Sequence, residues 1–309
     1  TNGMQGEAKR PRLDETVATE KPPVRSCSAV VRAGAYGHRG KKRENEDEFV
    51  LCHDCNLEVS CTRCAAGFFG IFDGHGGKNA ATFTKEHLLE NILSGIKDVG
   101  DNDVVRRAIL DGFSKTDTEF LAEGKRQGFK DGCTAGTALV LGDTMFVSWL
   151  GDSKVVLARR AEGEGEGGQP PRLKALQVSK DHTAVVPKER QRIEKSGGRV
   201  EDQRVNGMLE VSRSIGDCQL KGSGVISTPD IQRVTLCRRD EFLLIGCDGL
   251  WRVFENNDAV SFAESRLKEG KELEEICKEM VREAIRVREA QDNVTALIVK
   301  FDWPADVSS

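Results

Sequence analysis

Acidic residues set beside glycine at the ends of apolar runs are the part of this sequence best suited to chemistry. Asp73 stands in Phe72-Asp73-Gly74-His75-Gly76-Gly77, directly after an apolar run. Asp152 stands in Leu150-Gly151-Asp152-Ser153, Asp248 in Ile245-Gly246-Cys247-Asp248-Gly249, and Asp292-Asn293 precedes the run that opens at Val294. Short apolar runs bounded by Gly, Asp and Asn predict strands. Each acid therefore projects from the end of a rigid element, and its glycine neighbours let backbone approach closely. A lone Asp-Gly is usually a hairpin turn. Several carboxylates brought together instead repel one another unless cations neutralise them. Hard oxygen ligands suit Mg²⁺, Mn²⁺ or Ca²⁺ rather than zinc or copper.

Such acids need elements to hold them. Strands are predicted at 29–31, 48–51 and 67–72, then at 137–141, 145–150 and 154–159 with Gly-Asp turns between. Ala80, Phe83, His87, Leu88 and Ile92 recur at helical spacing and predict a helix over 76–98. Asp101 is a suitable N-cap for a second helix, over 101–123. Residues 161–171 are rich in Gly, Glu and Pro and read as a hairpin loop. Pro187 opens a further helix that Gly197-Gly198 ends. A strand at 242–246, helices at 258–267 and 273–288 and a last strand at 294–301 complete the order. Blocks of strands separated by helix pairs favour an α+β layered domain over a doubly wound sheet.

The bulk properties are permissive. The 309 residues carry a net charge of -4, with 38% hydrophobic and 31% charged residues, as in ordinary globular proteins. Near-balanced charge selects neither nucleic acid nor an anionic membrane as partner. No apolar stretch is long enough for a membrane helix. Residues 1–28 read as a flexible tail without a secretory core, so a cytoplasmic or nuclear location is expected. Lys9-Arg10-Pro11-Arg12 within it reads as a solvated charge cluster or a nuclear signal. No dimer helix is evident, and a monomer is expected.

The acidic motifs sit within a longer series. In order come Asn45-Glu46-Asp47, Phe72-Asp73-Gly74-His75-Gly76-Gly77, Asp131-Gly132-Cys133-Thr134-Ala135, Gly151-Asp152-Ser153 and Ser179-Lys180-Asp181-His182. Glu189 to Arg192 with Ile193 and Gly197-Gly198, Ser212-Arg213-Ser214-Ile215-Gly216-Asp217, Cys247-Asp248-Gly249-Leu250-Trp251 and Asp292-Asn293-Val294-Thr295 follow. Over residues 33–301 this order resembles the metal-dependent type 2C protein serine/threonine phosphatases. The resemblance implies a central sandwich of two antiparallel β-sheets flanked by pairs of antiparallel helices. A catalytic domain would span 29–303, with a cysteine-rich hairpin insertion at 52–64, a flap at 183–227 and a short tail at 304–309. It implies two Mg²⁺ or Mn²⁺ ions bridged by Asp73, with the Gly74 carbonyl completing one shell. Asp248 and Asp292 would hold the second ion, and Glu46 and Asp47 would lie close to the ligand waters. A metal-bridging water would attack phosphorus directly, without a phosphoenzyme. His75 would protonate the leaving serine or threonine oxygen, unless it merely satisfies backbone groups in its turn. Thr134 would hydrogen-bond a metal water, or serve as an ordinary strand threonine.

Two positions depart from the family pattern. The arginine that grips substrate phosphate is replaced by Lys42, with Arg43 beside it, so that role is divided between them or belongs to neither. A third-metal aspartate four residues after Asp248 is replaced by Arg252, whose charge repels a cation. Asp152 remains for such a site, which is expected to be weak or absent, with the two-metal core untouched. Arg213 and Asp217 read as a structural pair or turn.

Ten cysteines in a reducing compartment should be thiols or metal ligands. Six of them, Cys247 included, are scattered and read as small core residues. Cys52, Cys55, Cys61 and Cys64 form two closely spaced pairs, and structural zinc, a redox-sensitive dithiol and inert thiols all fit. The substrate implied is a phosphorylated protein. A catalytically weak protein of the same fold, binding phosphoproteins as a scaffold, is the alternative. A compact twelve-residue calcium loop is absent.

Overall fold

The computed structural model describes residues 29–59, 62–64, 66–163 and 171–304, with only the backbone at 58, 59 and 62–64. The tail with its basic cluster, Cys61, the loop at 164–170 and the last five residues lie outside the described residues.

The strands and helices follow the apolar runs closely. In chain order they are β1 (Val30–His38), β2 (Glu48–Cys52), β3 (Leu57–Val59), β4 (Thr62–Cys64), β5 (Ala66–Phe72), β6 (Gly74–His75), α1 (Asn79–Leu93) and α2 (Asn102–Gln127). Next come β7 (Gly132–Cys133), β8 (Ala135–Leu141), β9 (Thr144–Leu150), β10 (Lys154–Arg160), β11 (Leu173–Gln177) and α3 (Pro187–Lys195). Then follow β12 (Val200–Glu201), β13 (Arg204–Val205), β14 (Ile215–Gly216), β15 (Asp230–Thr235), β16 (Asp240–Gly246), α4 (Asp248–Trp251), α5 (Asn256–Lys268), α6 (Leu273–Arg286) and β17 (Val294–Asp302).

Two antiparallel five-stranded sheets result, in the orders β1-β17-β16-β10-β11 and β15-β9-β8-β5-β2. Alternation along β5 shows how they pack. Phe69 and Ile71 point inward and meet Val155, Leu243, Ile245 and Leu297 of the other sheet. Phe68 and Phe72 point outward and meet Leu88, Ile109 and Phe113 of α1 and α2. The outer face of the first sheet is covered likewise by α5 and α6, through Val260, Ile276, Met280 and Val281. A strand buried on both faces must be apolar at every position, which is why β5 is a continuous run. The fold is therefore α+β, a sandwich between helix pairs, as expected. Among the described residues no helix is long and apolar enough to cross a membrane.

Asp101 caps α2 as its side chain accepts from the backbone N–H groups of Asp103 and Val104, and Pro187 sits in the first turn of α3. Several elements have no counterpart in the sequence-based expectation, among them β11, the short strands β6, β7 and β12 to β14, and the two that follow. β15 is an edge strand reading Asp-Ile-Gln-Arg-Val-Thr, whose polar residues hide it from a search for apolar runs. α4 is a single turn, too short to show periodicity.

Phe69 is fully buried between the sheets. Truncation to alanine should cost about 3–5 kcal/mol of unfolding free energy in a urea titration. A loss under about 1 kcal/mol would mean the two sheets are not packed through this residue.

Candidate metal centre and active site

Strand register carries the acids to one end of the sandwich. β5 ends at Phe72 opposite Glu48, the first residue of β2, so Asp73 and Asp47 leave that sheet side by side. β8 begins at Ala135 opposite Leu150, the last residue of β9, which sets Thr134 beside the turn that carries Asp152. In the other sheet β16 ends at Gly246 opposite Ala296 of β17, with Asp248 and Asp292 just beyond. A cavity of about 280 Å³ opens there, lined by Lys42, Glu46, Asp73, Gly74, His75, Thr134, Asp152, Asp248, Arg252 and Asp292. Asp47 is buried behind it.

The loop carrying Lys42 and Glu46 is pinned to the Asp292 segment by one side chain. Asn293 donates from Nδ2 to the carbonyls of Arg39 and Glu44 (2.9 Å each), and its Oδ1 accepts from the Glu46 N–H at 2.9 Å. Close backbone approach completes the end of the sandwich. A Cβ at Gly249 would collide with the Asn293 carbonyl, and one at Gly74 would lie 2.5 Å from that of Glu46.

Burial and mutual repulsion govern the charge. Burial, then Asp47, Asp248, Asp152 and Asp292, push the Asp73 carboxyl well above the usual range. Burial pushes Asp47 up to about 6 against a hydrogen bond from Thr295, with Asp248 adding to the rise. Asp152 is pushed up to about 7 by burial and then by Asp248. Asp248 is raised by burial, with Arg252 opposing and Asp292 adding. Among the described residues the buried Oδ1 of Asp47 has no hydrogen-bond partner, while its Oδ2 accepts from Thr295 Oγ1 at 2.6 Å. One ligand atom each of Asp47, Asp73 and Cys247 lies within 4.8 Å of the others. An orphaned, buried carboxylate oxygen among raised acids is a donor set that fits a hard divalent cation. Cys247, expected as core filler, therefore borders this centre, its Sγ accepting from the Thr295 N–H at 3.1 Å.

Two cationic side chains reach the acids. Lys42 Nζ lies 2.8 Å from Asp292 Oδ1. Arg252 lies 2.7 Å from Asp248 and 3.6 Å from Glu210. Arg252 thus pairs directly with Asp248, one of the acids expected to hold metal. Arg43 is exposed and does not line the cavity, so the candidate phosphate contact falls to Lys42. The Thr134 hydroxyl shares a 2.7 Å hydrogen bond with Ser153.

His75 Nε2 lies 2.8 Å from Asp217 Oδ2, which also accepts from Ser214 Oγ at 2.5 Å. Burial acts to lower the imidazole pKa, but the hydrogen bond and charge of Asp217 raise it overall. Of the two sequence readings, a structural pair or a turn, Asp217 does not pair with Arg213 but does open a turn, its carbonyl accepting from the Leu220 N–H at 2.8 Å. Arg213 instead bonds Glu189 at 2.7 Å and Asp230 at 2.8 Å. The acid that fixes the histidine comes from 142 residues away, a distance that local spacing cannot bridge.

Residues 183–227 gather their own small apolar cluster of Ala184, Ile193, Val205, Leu220 and Val225 beside the cavity. In the cysteine hairpin, Cys52 and Cys55 are half-buried thiols, and burial, then its neighbour Cys52, pushes the Cys55 thiol up. Cys64 is described as backbone only, opposite Leu57.

Comparisons with known proteins point one way. A family model described as protein phosphatase 2C matches residues 33–294. A probable protein phosphatase 2C 8 of Arabidopsis thaliana is 41% identical over 281 residues, covering 88% of this chain and 79% of the relative. The integrin-linked kinase-associated serine/threonine phosphatase 2C of Bos taurus is 36% identical over 321 residues, covering 95% and 85%. The solved serine-threonine phosphatase 2C from Toxoplasma gondii superposes with a TM-score of 0.74 at 23% identity, covering 88% of this chain and 95% of that one, and supports the fold.

Raised carboxyls make the metal-free protein pH-sensitive. Above about pH 5 these acids would be ionised in the unfolded chain. In the folded protein Asp47, raised to about 6, and Asp152, raised to about 7, give up their protons only as pH rises through those values. With more protons bound in the folded state, stability falls as pH rises through that range. His75 acts in the same direction, and lowered His182 opposes it. Melting of chelator-treated protein should therefore drop from pH 5 to 7.5, and Mn²⁺ should raise it more at pH 7.5 than at pH 5. Equal Mn²⁺ effects at both pH values would refute this.

Proposed function

The chain belongs to the protein phosphatase 2C family, and from that premise we propose that it removes phosphate from phosphoserine and phosphothreonine in proteins, using two Mg²⁺ or Mn²⁺ ions. The observation that carries this is the convergence of five aspartates, with His75 and Lys42, on one end of the sandwich. Asp73, the Gly74 carbonyl, Asp248 and Asp292 line the cavity and would hold the ions. Glu46 at the cavity wall and the buried Asp47 would support that set. When bound, the ions supply a water activated for direct attack on phosphorus, without a phosphoenzyme, and neutralise the phosphoryl oxygens. Arg252 lines the cavity as a cation paired with Asp248 and cannot itself hold an ion, so two ions are proposed rather than three.

The remaining work falls to side chains. Lys42 offers a point charge to a phosphate oxygen, without the fork of an arginine. A serine or threonine alkoxide is a poor leaving group and needs a proton as the bond to phosphorus breaks. His75 supplies it, since Asp217 holds Nε2 and leaves Nδ1 to donate. Burial works against the charged ring, but the hydrogen bond and charge of Asp217 outweigh it and raise the imidazole pKa, which favours the proton-bearing form. Asp217 is thus a positioning residue.

One observation favours the second reading, a phosphoprotein-binding scaffold with weak catalysis. Lys42 and Arg252 neutralise Asp292 and Asp248 from within the chain, as built-in counter-ions that compete with metal. Turnover separates the two readings. Hydrolysis of a phosphothreonine peptide should depend on Mn²⁺ or Mg²⁺, and Asp73→Asn or a chelator should reduce it at least about 100-fold. Activity indifferent to both would sink the metal mechanism, and tight peptide binding without turnover would establish the scaffold.

Asp217→Asn tests the acid. It should slow phosphothreonine-peptide hydrolysis about 10- to 100-fold and move the alkaline decline of the pH profile to lower pH. p-Nitrophenyl phosphate, whose leaving group needs little protonation, should be affected far less. Equal losses on both substrates would remove His75 from the acid role.

A further inference from the structure

Beside the catalytic cavity lies another of about 320 Å³, with Met208, Leu209 and Leu220 as its apolar wall and Lys130 and Arg204 at its rim. The two cavities share His75, Gly76, Arg204 and Leu209. Their common histidine fixes which side of the phosphate this second cavity serves. A group that protonates the leaving oxygen must face it, and the substrate polypeptide hangs from that same oxygen. The cavity therefore lies where the polypeptide has to run.

Its lining says what could sit there. Met208 is 55% exposed although it is large and apolar. It is held in place by the tight turn at Asn206-Gly207, both with positive φ, and by its N–H donating to the Val205 carbonyl at 2.9 Å. Leu220 is buried in the small cluster beneath and forms a fixed wall. Lys130 is exposed and makes no ion pair with another described residue. Arg204 is paired with Glu210 at 3.2 Å. An exposed apolar patch joined to a catalytic cavity and edged by the exposed Lys130 ammonium suits a mixed apolar and acidic peptide segment.

We propose that this cavity is a specificity pocket for an apolar side chain within two residues of the phosphorylated serine or threonine, with Lys130 receiving an acidic residue beyond it. An extended segment advances about 3.3 Å per residue, so only near neighbours of the phosphorylated residue stay beside His75. The pocket has this use only if the chain is the phosphatase proposed above.

The test compares kcat/KM for phosphothreonine peptides that differ at one flanking position, carrying Leu, Ala or Lys, with p-nitrophenyl phosphate measured in parallel. At one flanking position the Leu peptide should exceed the Ala peptide roughly tenfold, and the Lys peptide should be the poorest. In Met208→Glu the Leu-to-Ala ratio should fall to near one. In Lys130→Glu an aspartate beyond the apolar residue should change from favourable to unfavourable. Leu-to-Ala ratios within about twofold at every flanking position, with p-nitrophenyl phosphate still hydrolysed, would overturn the pocket and leave the phosphatase standing. No hydrolysis of either substrate type would overturn both.

Discussion

Repulsion among buried carboxylates is the constraint on which the rest of this molecule depends. Asp47, Asp73, Asp152 and Asp248 are each held above their ordinary pKa, first by burial and then by one another. Folding alone gives no reason to collect them. The sandwich nevertheless forces them together, because every strand bearing one ends or begins at the same edge. A fold that fixes such a cluster is strained by it at neutral pH and relieved by divalent cations. Cation binding and folding are then linked through the same carboxylates.

The two sheets are the means of holding that cluster rigidly. Their shared core is apolar from Phe69 to Leu297, and helix pairs seal both outer faces. Rigidity matters because carboxylates on mobile loops would move apart and so evade the repulsion. Asn293 adds local stiffness by tying the Lys42–Glu46 loop to the final strand. The chain also carries its own partial neutralisation in Lys42 and Arg252, one lodged against each of two acids. Those contacts set how strongly a cation must compete.

Much of this was legible in the sequence, for identifiable reasons. β5 could be read because a strand buried on both faces is apolar throughout, and Asp73 because it directly follows that run. α2 could be read from its stripe and from Asp101. What stayed hidden depends on three-dimensional proximity. Asp217 reaches His75 across 142 residues, and no periodicity signals such a pair. Arg252 shows in the sequence as an unusual cation, but its grip on Asp248 depends on α4 beginning at Asp248. Cys247 looks like any buried thiol until β16 and β17 are paired.

The central claim is that divalent cations replace protons and internal cations on one carboxylate cluster. Calorimetric titration of metal-stripped protein with Mn²⁺ at pH 6.5, repeated in buffers of different ionisation enthalpy, tests it most directly. The account predicts two bound ions and net proton release to the buffer, because burial and mutual repulsion raise Asp73 and push Asp152 up to about 7 before binding. Absence of binding, or binding with no protons released, would contradict it.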